Sequence, residues 1–257
     1  MGRIISFWAI ICCYLIGLSG CKPTPQTYVV SIGVSDYKNI QDLRLPEKDA
    51  AAMVQLFENR KANVSSLLGT HATKANIIKA LKEQFAHAQS QDLVVFFFSG
   101  HGYPGGFCPY DMSQQMKSGL SYDEIKDIFK ECKAQNKVVF ADACFAGQFR
   151  RESELKESTA VTQKIKEITD GTNVLLFLSS RSNETSIESP FMANGMFTAA
   201  LLRALRGGAD VNLDRLITAK ELFDFVSQNV KEKSHDKQHP VMWGKFDDNM
   251  IIMNWQE

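Results

Sequence analysis

The sequence predicts an α/β fold, a three-layer α/β/α sandwich around a mostly parallel sheet of about six strands. Continuous apolar runs, typical of strands that are covered on both faces, occur at 92–98, 137–141 and 173–178. Around these runs lie stretches whose apolar residues have helical spacing, such as 50–57 and 77–85. Strands that alternate with helices are joined by crossover connections, and such connections produce parallel sheets.

The other elements are predicted from local signals at their ends. Pro is favoured in the first turn of a helix, Ser or Thr followed three residues later by Glu forms a capping box, and Gly ends a helix. In chain order the predictions are a strand at 27–34, a helix that begins at Pro46, a strand at 64–68, a helix capped by Thr73, a helix capped by Ser121 and Glu124, a helix at 194–206 ended by Gly207 and Gly208, a helix capped by Thr218 and Glu221, and a last strand at 249–253.

The first twenty residues are predicted to be a bacterial lipoprotein signal peptide. Fifteen consecutive uncharged residues, 4–18, follow Arg3. That run is short for a membrane-spanning helix, which needs about twenty residues. Leu-Ser-Gly-Cys at 18–21 resembles a bacterial lipobox. The resemblance implies cleavage before Cys21 and a lipid on its thiol, while an ordinary leader that contains a cysteine is the alternative.

The domain organisation follows from this leader. Residues 1–20 are the signal peptide, 21–26 are a lipid-anchored tether, and 27–257 form one domain. The expected location is the bacterial cell envelope, with the anchor in the outer membrane because Lys22, not an acidic residue, follows the lipidated cysteine. The lipid anchor is the expected membrane contact.

Charge and cysteine content exclude several classes of protein. Lys and Arg together number 29, as do Asp and Glu, so nucleic acid is not expected as the partner. A hydrophobic content of 44% excludes a disordered chain. Within 27–257 the cysteines are Cys108, Cys132 and Cys144, an odd number without a Cys-x-x-Cys motif. Neither a disulfide framework nor a zinc site is expected, and at least one thiol is free.

Two strand ends carry residues suited to nucleophilic catalysis. Ser-Gly-His-Gly at 99–102 follows one apolar run, and Asp-Ala-Cys at 142–144 follows the next. His101 and Cys144 each lie about three residues beyond the predicted strand. If these strands are neighbours, the two side chains enter the same crevice at the carboxyl edge of the sheet. An imidazole beside a thiol activates it, so the pair suffices for acyl transfer without a cofactor.

These motifs resemble those of the caspase and metacaspase peptidases. The separation of the His and the Cys agrees with that family, and further segments resemble its landmarks. They are 32–37, 48–50, 179–181, 195–198 and 238–240. The resemblance implies a caspase-like fold and a cysteine endopeptidase that acts on polypeptides. It also implies that Cys144 is the nucleophile, that His101 is the general base and acid, and that the backbone N–H groups of Gly102 and Cys144 form the oxyanion hole.

The same resemblance predicts the substrate-binding residues. Caspases have Gln two residues before the nucleophile and cleave after Asp, whereas Asp142 occupies that position here, as in metacaspases. A carboxylate there favours Arg or Lys in the substrate. Asp49 is the expected second acid of the pocket, although an Asp in the first turn of a helix also favours the helix dipole. Ser179 and Ser180 are expected to bind the substrate backbone or to form a polar loop.

A calcium loop is a weaker hypothesis. Asp210, Asn212, Asp214 and Glu221 have the spacing of alternating oxygen ligands with a closing Glu, but Arg215 occupies the position where Gly is expected. The favoured interpretation is a polar turn followed by a helix cap. Metacaspases often depend on calcium through acids placed elsewhere, so calcium as an activator does not require this loop.

Two other functions remain open from the sequence. One is a non-catalytic caspase-like module that acts as a binding or scaffold protein, and the other is a caspase-type peptidase with acidic specificity. The polar segment 150–170 joins the catalytic strand to the next one. In the family this region is often cut during maturation, so self-cleavage is predicted there, with an uncut surface loop as the alternative.

Overall fold

The computed structural model describes residues 24–115, 118–144, 172–180, 193–244 and 247–256. The helices are α1 (Pro46–Glu58), α2 (Lys74–Ala86), α3 (Tyr122–Glu131), α4 (Met196–Arg203) and α5 (Ala219–Lys233), with a 3-10 turn at Gly69–His71 and a π-helical turn at Ala204–Gly208. The strands are β1 (Thr27–Gly33), β2 (Asn63–Leu68), β3 (Leu93–Tyr103), β4 (Gly106–Phe107), β5 (Leu120–Ser121), β6 (Asn136–Cys144), β7 (Val174–Leu178), β8 (Leu216–Thr218), β9 (Val241–Trp243) and β10 (Ile251–Asn254). In the described ranges no helix combines the length and the hydropathy that a membrane crossing requires.

The main sheet has the strand order β2-β1-β3-β6-β7-β9. The first five of these strands run parallel, and β9 is antiparallel to β7. The short strands β4 and β5 extend the end of β3 as an antiparallel pair, and β8 pairs separately with β10. The predicted mostly parallel sheet of about six strands is confirmed.

Helices cover the sheet on both faces, as the continuous apolar runs predict. Alternate residues of β3 point to opposite sides, so Phe96 and Phe98 pack with α2 and α3, whereas Val95 and Phe97 pack with α1, α4 and α5. All four side chains are fully buried. Each such burial contributes about 1.5–3 kcal/mol. The three-layer arrangement is therefore the consequence of strands that are apolar on both faces.

The predicted helix caps are present. The Thr73 hydroxyl accepts the Asn76 backbone N–H at the start of α2. The reciprocal capping boxes at the starts of α3 and α5 both form. Gly207 ends the π-helical turn with a φ of 107°, a backbone conformation that favours glycine.

Several strands differ from the predictions, and one of them is β6, which was expected to end at Ala141 but continues to Cys144. β3 was expected to end at Phe98 but continues to Tyr103, because residues 99–101 pair with β6 and residues 102–103 pair with β4. The predicted last strand, β10, lies outside the main sheet. The sixth strand of that sheet is β9, whose three residues are too few to show an alternating pattern.

Candidate active site

The pairing of β3 with β6 brings the two candidate catalytic residues side by side. The parallel register runs from Leu93, opposite Asn136, to His101, opposite Cys144. Adjacent strands lie about 4.8 Å apart, so the backbones of His101 and Cys144 are neighbours. Both residues belong to their strands and do not lie three residues beyond them. The condition on which the sequence argument depended, that these strands are adjacent, is confirmed.

His101 is held on its ring and on its backbone. Its side chain is buried, and Nε2 lies 2.9 Å from the carbonyl oxygen of Gln41. A carbonyl can only accept a hydrogen bond, so Nε2 carries the proton and the neutral ring has its lone pair on Nδ1. The backbone N–H of His101 donates to the Oη of Tyr37 at 2.7 Å, and the two rings lie 5.0 Å apart. The imidazole is therefore fixed in orientation and in tautomer.

Gly100 is required by this packing. A Cβ at that position would lie 2.6 Å from the Tyr37 Oη. Because the phenol comes so close to the backbone of β3, a side chain on residue 100 would displace it. The glycine before the candidate base is thus explained by the approach of Tyr37.

The two predicted pocket acids lie together beneath the candidate catalytic residues. Asp142 is opposite Ser99 in the register of β6 and β3, two residues before Cys144 and His101. Residues two apart on a strand share a face. Asp49 reaches the same place from α1, where its Oδ2 accepts the Ser99 hydroxyl at 3.0 Å. Asp49 and Asp142 therefore lie together at the carboxyl end of β3 and β6, two residues along these strands from the candidate catalytic pair.

The N-terminal end of α4 supplies further donors to these acids. Asp49 Oδ1 accepts the side-chain amide of Asn194 and the backbone N–H of Gly195, both at 2.9 Å. Asp142 Oδ2 accepts the Thr198 hydroxyl at 2.8 Å and the Thr198 N–H at 3.2 Å. A helix N-terminus favours negative charge, so α4 stabilises both carboxylates.

Gly195 lets the two carboxylates approach the helix. A Cβ there would lie 2.5 Å from Asp142 Oδ2 and 3.1 Å from Asp49 Oδ2. Any side chain at position 195 would therefore enter the space of the acid pair.

Burial makes the second negative charge costly. Asp49 is 2% exposed and Asp142 is 8% exposed. Burial, together with the negative charge of Asp142, raises the pKa of Asp49 from 3.8 to about 7. The hydrogen bonds from Asn194, Gly195 and Ser99 oppose that rise but do not cancel it. Asp49 therefore titrates near neutral pH.

Ser179 and Ser180 face the interior. Both are fully buried, and the Ser179 hydroxyl donates to the carbonyl of Ala143 at 3.3 Å. The Ser179 carbonyl accepts the side-chain amide of Gln238 at 2.8 Å. In this arrangement Ser179 supports the end of β6, and its hydroxyl is directed to Ala143. Binding of the substrate backbone by these serines remains a prediction.

The candidate calcium loop uses its oxygens within the chain. Asp210 accepts the backbone N–H groups of Asp214 and Arg215, and Asn212 accepts that of Asp214. Glu221 accepts both the N–H and the hydroxyl of Thr218 in the capping box. Among the described residues, no group of three or more His, Cys, Asp and Glu side chains is arranged to hold a metal ion. The capping role of Glu221 is confirmed.

The other two thiols of the domain are packing residues. Cys108 and Cys132 are buried and unoxidised. Burial raises the pKa of Cys108 to about 12 and raises that of Cys132 as well. Because the thiolate is the nucleophile, neither is a reactive thiol near neutral pH. The leader with Cys21 and the segment 150–170 lie outside the described residues.

Comparison with known proteins identifies the family of this chain. The caspase domain family matches residues 26–250, nearly the whole described chain. The chain belongs to the caspase-domain family. The resemblance to the caspase family, which includes cysteine peptidases, is thereby confirmed. The metacaspase subgroup stays a prediction. No curated protein matches.

Solved structures share the fold of this chain. Among 245 matching chains is protein GSU0716 from Geobacter sulfurreducens, known from a crystal structure. It is 19% identical, with a TM-score of 0.61 over 87% of this chain and 95% of that chain. At this identity the likeness concerns the fold.

Sequence reasoning overlooked several residues of the site. Ser99, Asn194 and Thr198 all bind the acid pair, and Tyr37 and Gln41 hold the candidate base. Their polar side chains have no distinctive spacing, and Gln41 acts through its backbone carbonyl. The Ser before Gly-His-Gly and the Tyr in the landmark at 32–37 were the available signals.

Proposed function

We propose that this caspase-domain protein is a cysteine endopeptidase that uses Cys144 and His101 and cleaves after Arg or Lys. The observation that carries the proposal is the register of β3 and β6, which pairs His101 with Cys144 directly above a buried pair of carboxylates. A nucleophile–base pair and a charged pocket, two residues apart on the same strands, are the parts that such a reaction requires.

The proposed reaction begins with proton transfer from the Cys144 thiol to His101 Nδ1. The thiolate attacks the substrate carbonyl, and the backbone N–H groups of Gly102 and Cys144 receive the developing oxyanion. The imidazolium donates its Nε2–H to Gln41, which stabilises its positive charge. It then protonates the leaving amine, and water hydrolyses the thioester to regenerate the thiol.

The proposed specificity follows from distance and charge. Two residues of strand separate the acid pair from the dyad, which is about 6.6 Å along β3 and β6. An extended Lys or Arg side chain spans this length and places its cation at Asp49 and Asp142. An acidic substrate side chain would instead add negative charge to a buried site that already holds two acids, which argues against the alternative of acidic specificity.

The test compares otherwise identical peptides that carry Arg, Lys, citrulline or Asp before the scissile bond. We expect cleavage after Arg and Lys, little after citrulline, which lacks the charge, and none after Asp. Cys144→Ala is expected to abolish cleavage, and His101→Ala to reduce the rate by about 10²–10⁴. Cys132→Ala, which removes a buried thiol at the end of α3, serves as the matched control and should retain activity.

The same preparations distinguish an enzyme from a scaffold. Iodoacetamide should label one thiol rapidly at neutral pH, at Cys144, and His101→Ala should slow that labelling. Equally slow labelling of Cys108, Cys132 and Cys144, without cleavage of any peptide, would support the scaffold alternative.

We also propose that Cys21 carries a lipid that anchors the protein in the cell envelope. The motif at 18–21 supports this, since a lipobox places the acceptor cysteine directly after the cleavage site. Stable anchoring requires more than one acyl chain, as lipoproteins have. The Cys–His chemistry itself needs no cofactor, and calcium as an activator is left to experiment.

A further inference from the structure

His101 is positioned by a loop as well as by its own strand. The loop of residues 35–43, which connects β1 to α1, contacts it at two points. The Gln41 carbonyl lies 2.9 Å from Nε2, and the Tyr37 Oη accepts the His101 backbone N–H at 2.7 Å. The Tyr37 ring also packs on the imidazole, with ring centroids 5.0 Å apart. The conformation of this 35–43 loop therefore determines where the imidazole points.

The 35–43 loop is closed by an exposed carboxylate. Asp42 Oδ1 accepts the backbone N–H of Tyr37 at 2.8 Å. A second closure joins the Leu43 N–H to the Ser35 carbonyl, also at 2.8 Å. Asp42 directly follows Gln41, so its contact with Tyr37 sets the turn in which the Gln41 carbonyl faces His101. Asp42 thus links the two groups that hold the imidazole.

The outer part of the loop is attached to a neighbouring segment. The Lys38 N–H donates to the Tyr110 carbonyl at 3.1 Å, and the Asn39 side-chain amide donates to the Met112 carbonyl at 2.9 Å. These contacts hold residues 38 and 39 but do not orient the carbonyl of Gln41. That orientation depends on the part of the loop that Asp42 closes.

We propose that Asp42 is a positioning residue for the catalytic base. By accepting the Tyr37 N–H, it keeps the 35–43 loop in the conformation in which Tyr37 and Gln41 both hold His101. This inference rests on the proposed function, because it requires His101 to act as the base. Asp42 is exposed, so its replacement leaves the core intact while it loosens the loop.

The expected effect falls on the chemical step. A displacement of about 1 Å in a catalytic group costs up to about 100-fold in rate. Because the Leu43–Ser35 closure remains, we expect Asp42→Ala to lower kcat about tenfold. KM should stay within about twofold, since the acids that receive the substrate's cation are bound by Ser99 and α4 and not by this loop.

The experiment measures kcat, KM and the rate of Cys144 labelling for a set of variants of the full chain. Asp42→Asn keeps the Oδ1 acceptor without the charge and should recover kcat to within about threefold of the wild type. Tyr37→Phe deletes the acceptor of the His101 N–H and should lower kcat at least as much as Asp42→Ala. Asp36→Ala, a change at a second exposed acid of the same loop, is the matched control and should behave as wild type.

Three results would overturn the proposal. One is an Asp42→Ala protein with unchanged kcat in a wild type that does cleave peptides. The second is an Asp42→Asn protein as impaired as Asp42→Ala, since that would implicate charge and not the acceptor. The third is a loss of kcat that matches the fraction unfolded by urea titration. A wild type that neither cleaves peptides nor labels rapidly at Cys144 would instead show that the proposed function itself has failed.

Discussion

The acid pair predicts an unusual dependence of stability on pH. Asp49 binds its proton with a pKa of about 7 in the folded chain, against 3.8 without the surrounding structure. Between these values the folded state holds a proton that the unfolded state has released. The contribution of Asp49 to the unfolding free energy therefore falls as pH rises from about 4 to about 7. The pKa difference of about 3 corresponds to a loss on the order of 4 kcal/mol.

Asp49→Asn removes the free-energy cost of ionising this buried carboxyl group, and it changes the shape of the side chain little. The Asn oxygen can still accept from Asn194 and Gly195, while its amide nitrogen can donate to the Ser99 hydroxyl, which is able to accept. The variant should gain stability over the wild type as pH rises, by on the order of 4 kcal/mol between pH 4 and pH 8. Above pH 7 it should be the more stable protein.

Urea denaturation at several pH values measures this difference directly. Asp127→Asn, which removes an exposed carboxylate on α3, is the control for the loss of one negative charge and should show no such rise. Asp142→Asn removes the nearby negative charge but leaves Asp49 buried. Because burial is the larger cause of the raised pKa of Asp49, this variant should retain part of the loss of stability that Asp49 causes as pH rises.

A stability difference between Asp49→Asn and wild type that is constant over this pH range would contradict the raised pKa of Asp49. Such a result would mean that Asp49 stays ionised in the folded protein. A difference that shrinks with rising pH would mean that folding lowers the pKa of Asp49. It would identify Asp49 as a carboxylate that stabilises the fold through its charge.

The other predictions concern specificity, anchoring and maturation. Asp142→Ala should reduce cleavage after Arg and Lys far more than it reduces labelling of Cys144, because losing one partner of a buried charge pair costs about 2–5 kcal/mol in substrate binding. Equal losses in the peptide assay and in labelling would mean that Asp142 supports the fold and not the substrate pocket. Cys21→Ala should move the protein from the membrane fraction to the soluble fraction, and membrane retention with an unmodified N-terminus would contradict the lipobox. Mass spectrometry should find wild type cut between Arg150 and Lys166 and Cys144→Ala whole, whereas an intact and fully active wild type would exclude self-cleavage.

The secondary structure could be predicted well wherever a signal was local. The apolar run at 93–98 can be buried only between two layers, and a Ser or Thr with Glu three residues later satisfies the free N–H groups of a helix on its own. The end of β3 could not be predicted in this way. Residues 99–103 are extended because β6 and β4 pair with them, and the pairing partners lie elsewhere in the chain.

The sequence by itself predicted the fold class, the family and the candidate pair of His101 and Cys144, because each prediction depends on residue types in short, recognisable segments. Only the tertiary structure decided what surrounds them. Ser99 binds the acid pair from β3, while Asn194 and Thr198 bind it from the N-terminal end of α4. Their contact depends on how α1 and α4 pack on the sheet, and polar residues without regular spacing leave no trace of such a contact in the sequence.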